Sequence, residues 1–466
     1  MRVDRDASFA YFVYPFLFES RDFPRIVDAV SSLRGDPGGE ENGPFWREMQ
    51  FPHEDLLAHV RDYINPRETD KATVALWQLS NMALKHYKLH SEIGWRLCTP
   101  YRHIPFHFCS RRGGFAVQCG LFRVGVGFLT FQAHPDSEDA GDWLDLLHFF
   151  RFVAGQRQVY LEHEHATEPI HFRHILDNLL QHAFHSRTRW WQEVFVPDQL
   201  LPYVALYVEE VNRDETPELV YRARNLFPVE REIYPSDREL ALDHPALLTY
   251  AHQQWFIFSL TGGGFLALDA PRGDFFRGEL PERLARQYFL LFLLAQQQRF
   301  ALMRLSQLVS EHWLRGDEAQ RLEHFEYIRL SLLEFTARGY FTQVMQRDQH
   351  HRVYARWQEV LQVRDLYQEV GDEVREMHDI LQKRLAERVE ARLKLLTWVI
   401  AFPTLAISFL SINIRGWTAE EGLSLQWALA LLASAVSLGI LLWAWDKILC
   451  FGQRWRQSQA PFDSSS

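Results

Sequence analysis

The sequence predicts an α/β domain followed by a long stalk helix and an all-α membrane module of two transmembrane helices. Three observations carry that prediction. Residues 395–414 and 425–445 are two charge-free apolar stretches, each about twenty residues long and sufficient to cross roughly 30 Å of hydrocarbon. A proline-free, highly charged segment leads directly into the first of them. Across residues 1–345, aromatic and β-branched runs alternate with runs whose apolar residues recur at three- and four-residue spacing.

Composition confines the membrane part to that region. Mean hydropathy is −0.24 and charged residues make up 24%, too polar for a chain that is mostly membrane. The net charge of −10 argues against nucleic acid as a direct partner, while leaving room for a local basic pocket. Cys98, Cys109, Cys119 and Cys450 lack C-x-x-C spacing and are too sparse for a disulfide scaffold, which fits a reducing cytoplasm. The apolar run at residues 9–18 has no basic leader and no small-residue cleavage site. It therefore reads as a buried strand rather than a signal peptide.

Within the cytoplasmic α/β domain, residues 1–345, strands are expected at 9–18, 115–122, 124–132, 203–208 and 255–260. Helices are expected at 24–33, 142–152, 281–310 and 317–336. Residues 346–394 form the stalk. Val353, Trp357, Val360, Tyr367, Val370, Val374, Met377, Leu381, Leu385 and Val389 step by mostly three and four along one helix of about 60–70 Å. Such a seam wants a partner, either the helix's own domain or further copies of the chain.

The first span covers residues 395–414, an external loop residues 415–424, the second span residues 425–445, and a cytoplasmic tail residues 446–466. A ten-residue loop permits only a helical hairpin, so both ends of the pair face one side. Arg384, Arg388, Arg392 and Lys394 precede the first span, and Lys447, Arg454 and Arg456 follow the second. Both termini are therefore expected in the cytoplasm, with the chain in the cell inner (plasma) membrane and the lipid bilayer as a partner. Thr397, Ala401, Thr404, Ser408 and Ser411 step by four and three, which places them on one stripe of the first span. Two readings are open: the lining of a polar path around a shared axis, or close helix packing.

This layout resembles the CorA superfamily of metal-ion transporters, and Phe402-Pro403-Thr404-Leu405 looks like that family's proline-containing segment. The resemblance implies a CorA-like homopentamer whose first spans line the pore, with Mg²⁺ or another divalent cation as its ion. It also implies a Gly-Met-Asn signature at the outer mouth. Here the stretch reads Ser411-Ile412-Asn413, so only Asn413 carries over. A ring of Arg415 at the pore mouth would repel cations, whereas Glu420 and Glu421 would attract them.

Residues 125–131 (Gly-Val-Gly-Phe-Leu-Thr-Phe), 147–152 and 293–302 are similar to CorA-like proteins encoded beside type III CRISPR systems. That branch implies a membrane effector of antiviral defence, opened by a nucleotide second messenger in which S-adenosylmethionine is joined to AMP. Three functions are therefore open. The first is an ion channel or transporter gated by its cytoplasmic domain; the second is the messenger-opened effector; the third is a non-conducting, membrane-anchored binding domain.

For an anionic ligand, Arg111, Arg112, Arg123 and Arg151 are the candidates, since guanidinium groups bind phosphate in a bidentate manner; surface ion pairs are the alternative. Asp136, Asp139, Asp142 and Asp145 recur every third residue. Asp136 and Asp139 are candidate metal ligands, and stabilisation of a helix N-terminus is the competing reading. His163, His165, His171 and His174 suggest no complete zinc set. Gly262-Gly-Gly-Phe265 and Gly113-Gly114 read as tight turns, because the lysine of a phosphate loop is missing. With no nucleophile–base spacing in view, an enzyme is not expected.

Overall fold

The computed structural model describes residues 1–34, 43–65, 73–110, 114–155, 158–164, 168–181, 199–314 and 318–411, together with Leu432, Val436 and Gly439. In chain order the strands are β1 (Arg2–Val3), β2 (Phe9–Leu17), β3 (Trp46–Met49), β4 (Val74–Leu79), β5 (Trp95–Cys98), β6 (His103–Phe108), β7 (Val117–Phe122), β8 (Val126–Pro135), β9 (Tyr160–His163), β10 (Leu201–Glu209), β11 (Leu247–Ala251), β12 (Gln254–Ser259) and β13 (Gly262–Leu268). The helices are α1 (Phe23–Ser32), α2 (Ala58–Ile64), α3 (Asn81–His86), α4 (Ala140–Phe150), α5 (Phe172–Gln181), α6 (Thr216–Asn225), α7 (Asp237–Leu240), α8 (Leu280–Arg283), α9 (Phe289–Leu314), α10 (Glu318–Glu334), α11 (Asp348–Val360) and α12 (Val363–Ser411).

The strands form one mixed sheet that runs β11-β12-β13-β10-β2-β8 and then forks. Residues 126–131 of β8 pair with β7, which leads on to β4 and β3. Residues 133–135 pair with β6, which leads on to β5 and β9. Every residue of β2 is buried, as its unbroken apolar run requires of a strand covered on both faces. Pro15 is tolerated there because β10 pairs with β2 only as far as Val13, so beyond that point the strand has its neighbour in β8.

Successive β2 side chains point to opposite faces, which separates two cores. Phe12 meets Phe150 of α4, and Phe131 and Phe108 meet Phe172 of α5. On the other face Tyr11 and Tyr203 meet Phe289 of α9, while Phe292 and Phe258 meet Trp357 of α11.

Three features differ from the sequence expectation. Gly262, Gly263 and Gly264 open strand β13 instead of forming a turn. At φ of 151° and 145°, Gly262 and Gly264 adopt backbone conformations that L side chains rarely reach, and a β-carbon at Gly264 would stand 1.9 Å from the Val204 carbonyl oxygen. The helix expected at 281–310 is interrupted: π-helical turns at Phe275–Glu279 and Leu284–Tyr288 flank α8. The single stalk helix expected from residue 346 is two helices, α11 and α12, broken where Gln362 takes φ of 55°.

The chain divides into two compact units, Met1–Val374 and Arg375–Ser466. Helix α12 starts in the first unit, where Val363, Val370 and Val374 are buried, and runs unbroken to Ser411 in the second. In the second unit Met377 and Leu381 are buried, but Leu385, Val389, Leu393 and Leu396 are exposed. The apolar seam read from the sequence is thus covered over its first part and bare thereafter. Among the described residues no helix is long and apolar enough to cross a membrane. The loop and the second apolar stretch lie outside the described residues except for Leu432, Val436 and Gly439.

Candidate functional site

A cleft of about 390 Å³ opens in the first unit where the π-interrupted helix meets the start of α11. The N–H of Phe289 reaches back five residues to the Leu284 carbonyl, and that of Leu280 to Phe275. Each wide turn inserts a residue and re-aims the side chains that follow it. Arg283 and Arg286 project into the cleft from one wall, paired with Glu279 at 3.2 Å and Glu282 at 3.3 Å. Arg347, at the N-cap of α11, lies 3.2 Å from Asp55 on the opposite wall, and the Asp55 carbonyl accepts from the N–H of Gln346. Exposed ion pairs of this kind contribute little to stability, so their geometry is available for another purpose.

His350, one turn into α11, is buried with its ring 4.6 Å from that of Tyr288, and neither ring nitrogen has a hydrogen-bond partner. Burial pushes its pKa down to about 4, with Arg347 and Arg283 adding to the effect and Asp55 opposing it, so the imidazole is neutral near pH 7. Gln287 donates to Glu54 at 3.4 Å and keeps a buried carbonyl oxygen without a partner. Through Pro52 and Arg286 the cleft adjoins a smaller recess of about 100 Å³, walled by Phe51, Leu76, Phe115, Phe289 and Leu290. Guanidinium groups beside an aromatic recess can take a ligand that carries an anionic group next to a flat, apolar ring.

The arginines singled out in the sequence fall elsewhere. Arg123 lies 3.8 Å from Glu334. Arg151 donates to the Thr261 hydroxyl at 3.2 Å and sits 4.5 Å above the Phe152 ring. Arg111 and Arg112 lie outside the described residues, although Gly114, just after them in sequence, lines the recess. Arg283, Arg286 and Arg347 carry no such signal in the sequence: the first two form ordinary i,i+4 pairs with Glu279 and Glu282, and Arg347 finds its partner Asp55 only through the fold.

The four aspartates do not converge on one point. Asp139 caps α4, accepting from the Gly141 N–H at 3.0 Å, in keeping with the helix-terminus reading. Asp136 lies 2.6 Å from His107 and 3.7 Å from Arg5. Asp142 and the fully buried Asp145 both bind Arg102, and Asp145 also accepts from the Val229 N–H. His163 packs against Trp95, while His171 and His174 touch each other; His165 lies outside the described residues.

Of the proposed pore lining, Thr397, Ala401 and Thr404 share one face of α12, and both threonines are exposed. Their hydroxyls donate to the carbonyls of Leu393 and Ile400, at 2.8 and 2.7 Å. Ser408 and Ser411 follow on the same helix. Asn413, Arg415, Glu420 and Glu421 lie outside the described residues.

Comparison with known proteins is sparse. No family model matches the chain, and no curated protein matches it. Among solved structures, the CorA magnesium transporter from Methanocaldococcus jannaschii is similar at 14% identity and a TM-score of 0.20, over 55% of this chain and 93% of that one. At that score the overlap is loose, and the functional reading rests on this chain's own residues.

Proposed function

We propose that the chain is a homo-oligomeric membrane channel or transporter for cations, of the CorA type and not an enzyme, gated by its N-terminal domain. One observation carries this reading. A single helix, α12, begins among buried residues of the first unit and continues without a break into the apolar stretch that bears the hydroxyl stripe. The helix is thus a direct covalent route from the N-terminal domain to the stripe. Exposed Leu385, Val389, Leu393 and Leu396 on the same helix favour covering by further copies of the chain, and the basic flanks favour cytoplasmic termini. A divalent cation is the proposed ion.

The cleft supports a second, finer reading in which a nucleotide-class messenger sets the gate. Its arginines would hold the phosphate and its aromatic recess the base, and Arg347 and His350 would relay occupancy into α11. Reconstitution of the full chain into liposomes loaded with a divalent-ion dye tests both. Flux through a defined oligomer supports the channel, and stimulation of flux by nucleotides supports the messenger. A monomer that binds membranes but passes no ion would leave only the anchored binding domain.

A further inference from the structure

We propose that Cys98, His103 and Glu162 form a transition-metal site for Zn²⁺ or a metal of similar character. Strand β5 is the middle strand of the trio β6-β5-β9, and the register pairs Cys98 with His103 on one side and with Tyr160 on the other, while Arg96 pairs with Glu162. Residues two apart on a strand share a face, so Cys98, His103, Tyr160 and Glu162 lie on one surface of the sheet. That surface faces water, since Arg96 and His103 are exposed, yet Cys98 in its centre is only 1% accessible.

The donor atoms already cluster. Cys98 Sγ is 3.1 Å from His103 Nδ1, and the sulfur, the imidazole nitrogen and a Glu162 oxygen all lie within 4.8 Å of one another. Among the described residues this is the group of three or more such side chains placed to share an ion. Tetrahedral zinc, with bonds of about 2.0–2.3 Å, places its donors about 3.3–3.8 Å apart. Small side-chain adjustments reach that geometry, and the incompletely buried His103 and Glu162 have room to make them.

A thiolate, an imidazole and a single carboxylate favour zinc over Mg²⁺ or Ca²⁺, which want several oxygen donors. The site is therefore chemically distinct from any pathway for a hard divalent cation. Three protein donors leave one position of the tetrahedron to water or to a further ligand from solvent. Bound metal would also staple β9 to β5 and β6.

The test uses the full chain in detergent, stripped of metal and titrated with Zn²⁺ against a chromophoric chelator, with Co²⁺ as a spectroscopic substitute. The expected result is one tightly held Zn²⁺ per chain, weakened by more than about tenfold in His103→Ala and in Glu162→Gln. Co²⁺ should give a thiolate-to-cobalt charge-transfer band that disappears in Cys98→Ser and persists in Cys109→Ser and Cys450→Ser. Zinc affinity unchanged by His103→Ala and Glu162→Gln, or a band that survives Cys98→Ser, would overturn the assignment. So would failure of the wild-type chain to bind either metal. The exposed His103 keeps the test informative even where substitution of the buried cysteine disturbs folding.

Discussion

Trp357 of α11 lies against Gly263 of β13: a β-carbon at Gly263 would stand 2.8 Å from the indole Cη2 and 2.3 Å from the Ile257 carbonyl oxygen. This contact seats the helix that leads into α12, with Phe258 and Phe292 closing around the indole at 4.8 and 4.9 Å. Gly263→Ala is accordingly expected to lower stability by about 1–3 kcal/mol through overpacking. Trp357→Ala should cost about 3–5 kcal/mol through the cavity it leaves. Thermal denaturation followed by tryptophan fluorescence reads both, and an unchanged midpoint in Gly263→Ala would show that α11 is not held there.

His350 gives the first unit a pH dependence of defined sign. Its folded pKa, near 4, lies below its ordinary value of 6.5, so above pH 6.5 the neutral folded form incurs no penalty. As pH falls from about 6.5 towards 4, the unfolded chain takes up a proton that the folded chain refuses, and stability declines by up to roughly 3 kcal/mol. Denaturation midpoints measured from pH 7.5 to 4.5 should fall more steeply in the wild type than in His350→Leu. Parallel profiles would remove the histidine from the account.

Cleft arginines are expected to govern ligand affinity. Losing a charge-assisted hydrogen bond costs about 1.5–3 kcal/mol, so Arg286→Ala and Arg347→Ala should each weaken nucleotide binding by roughly 10–100-fold. Arg123→Ala, outside the cleft, should leave it unchanged. Calorimetric titration of the full chain separates the two groups, and equal losses at all three positions would refute the cleft as the binding site.

Much of this arrangement could be read from the sequence because local pattern and burial agree. Phe9–Leu17 form a strand buried on both faces, one residue short of the expected 9–18, the helix expected at 317–336 is close to α10, and the helix expected from 142 is α4, which starts two residues earlier with Asp139 as its cap. The misreadings have physical causes. Three consecutive glycines mark a turn in most settings, but in β13 Gly264 makes room for Val204, 60 residues away in sequence, and Gly263 for Trp357, 94 residues away. The break at Gln362 lies between two good helical patterns and carries neither proline nor glycine. The cleft joins Asp55, Arg283 and Arg347 from distant segments, and the metal cluster adds the distant Glu162 to the nearby pair Cys98 and His103, so spacing along the chain holds only part of either set. Cys98, His103 and Glu162 meet only because three strands align.

The central claim is that α12 carries the wall of an ion path, and substitution along its stripe tests it most directly. Divalent-ion flux should be measured in proteoliposomes containing the wild type, Thr404→Leu, or Val399→Ala, a change at an exposed position outside both the stripe and the apolar seam. The account predicts that Thr404→Leu abolishes most of the wild-type flux while oligomer size and membrane incorporation stay the same, and that Val399→Ala conducts. Flux in Thr404→Leu equal to wild type would contradict it and return the hydroxyl stripe to helix packing.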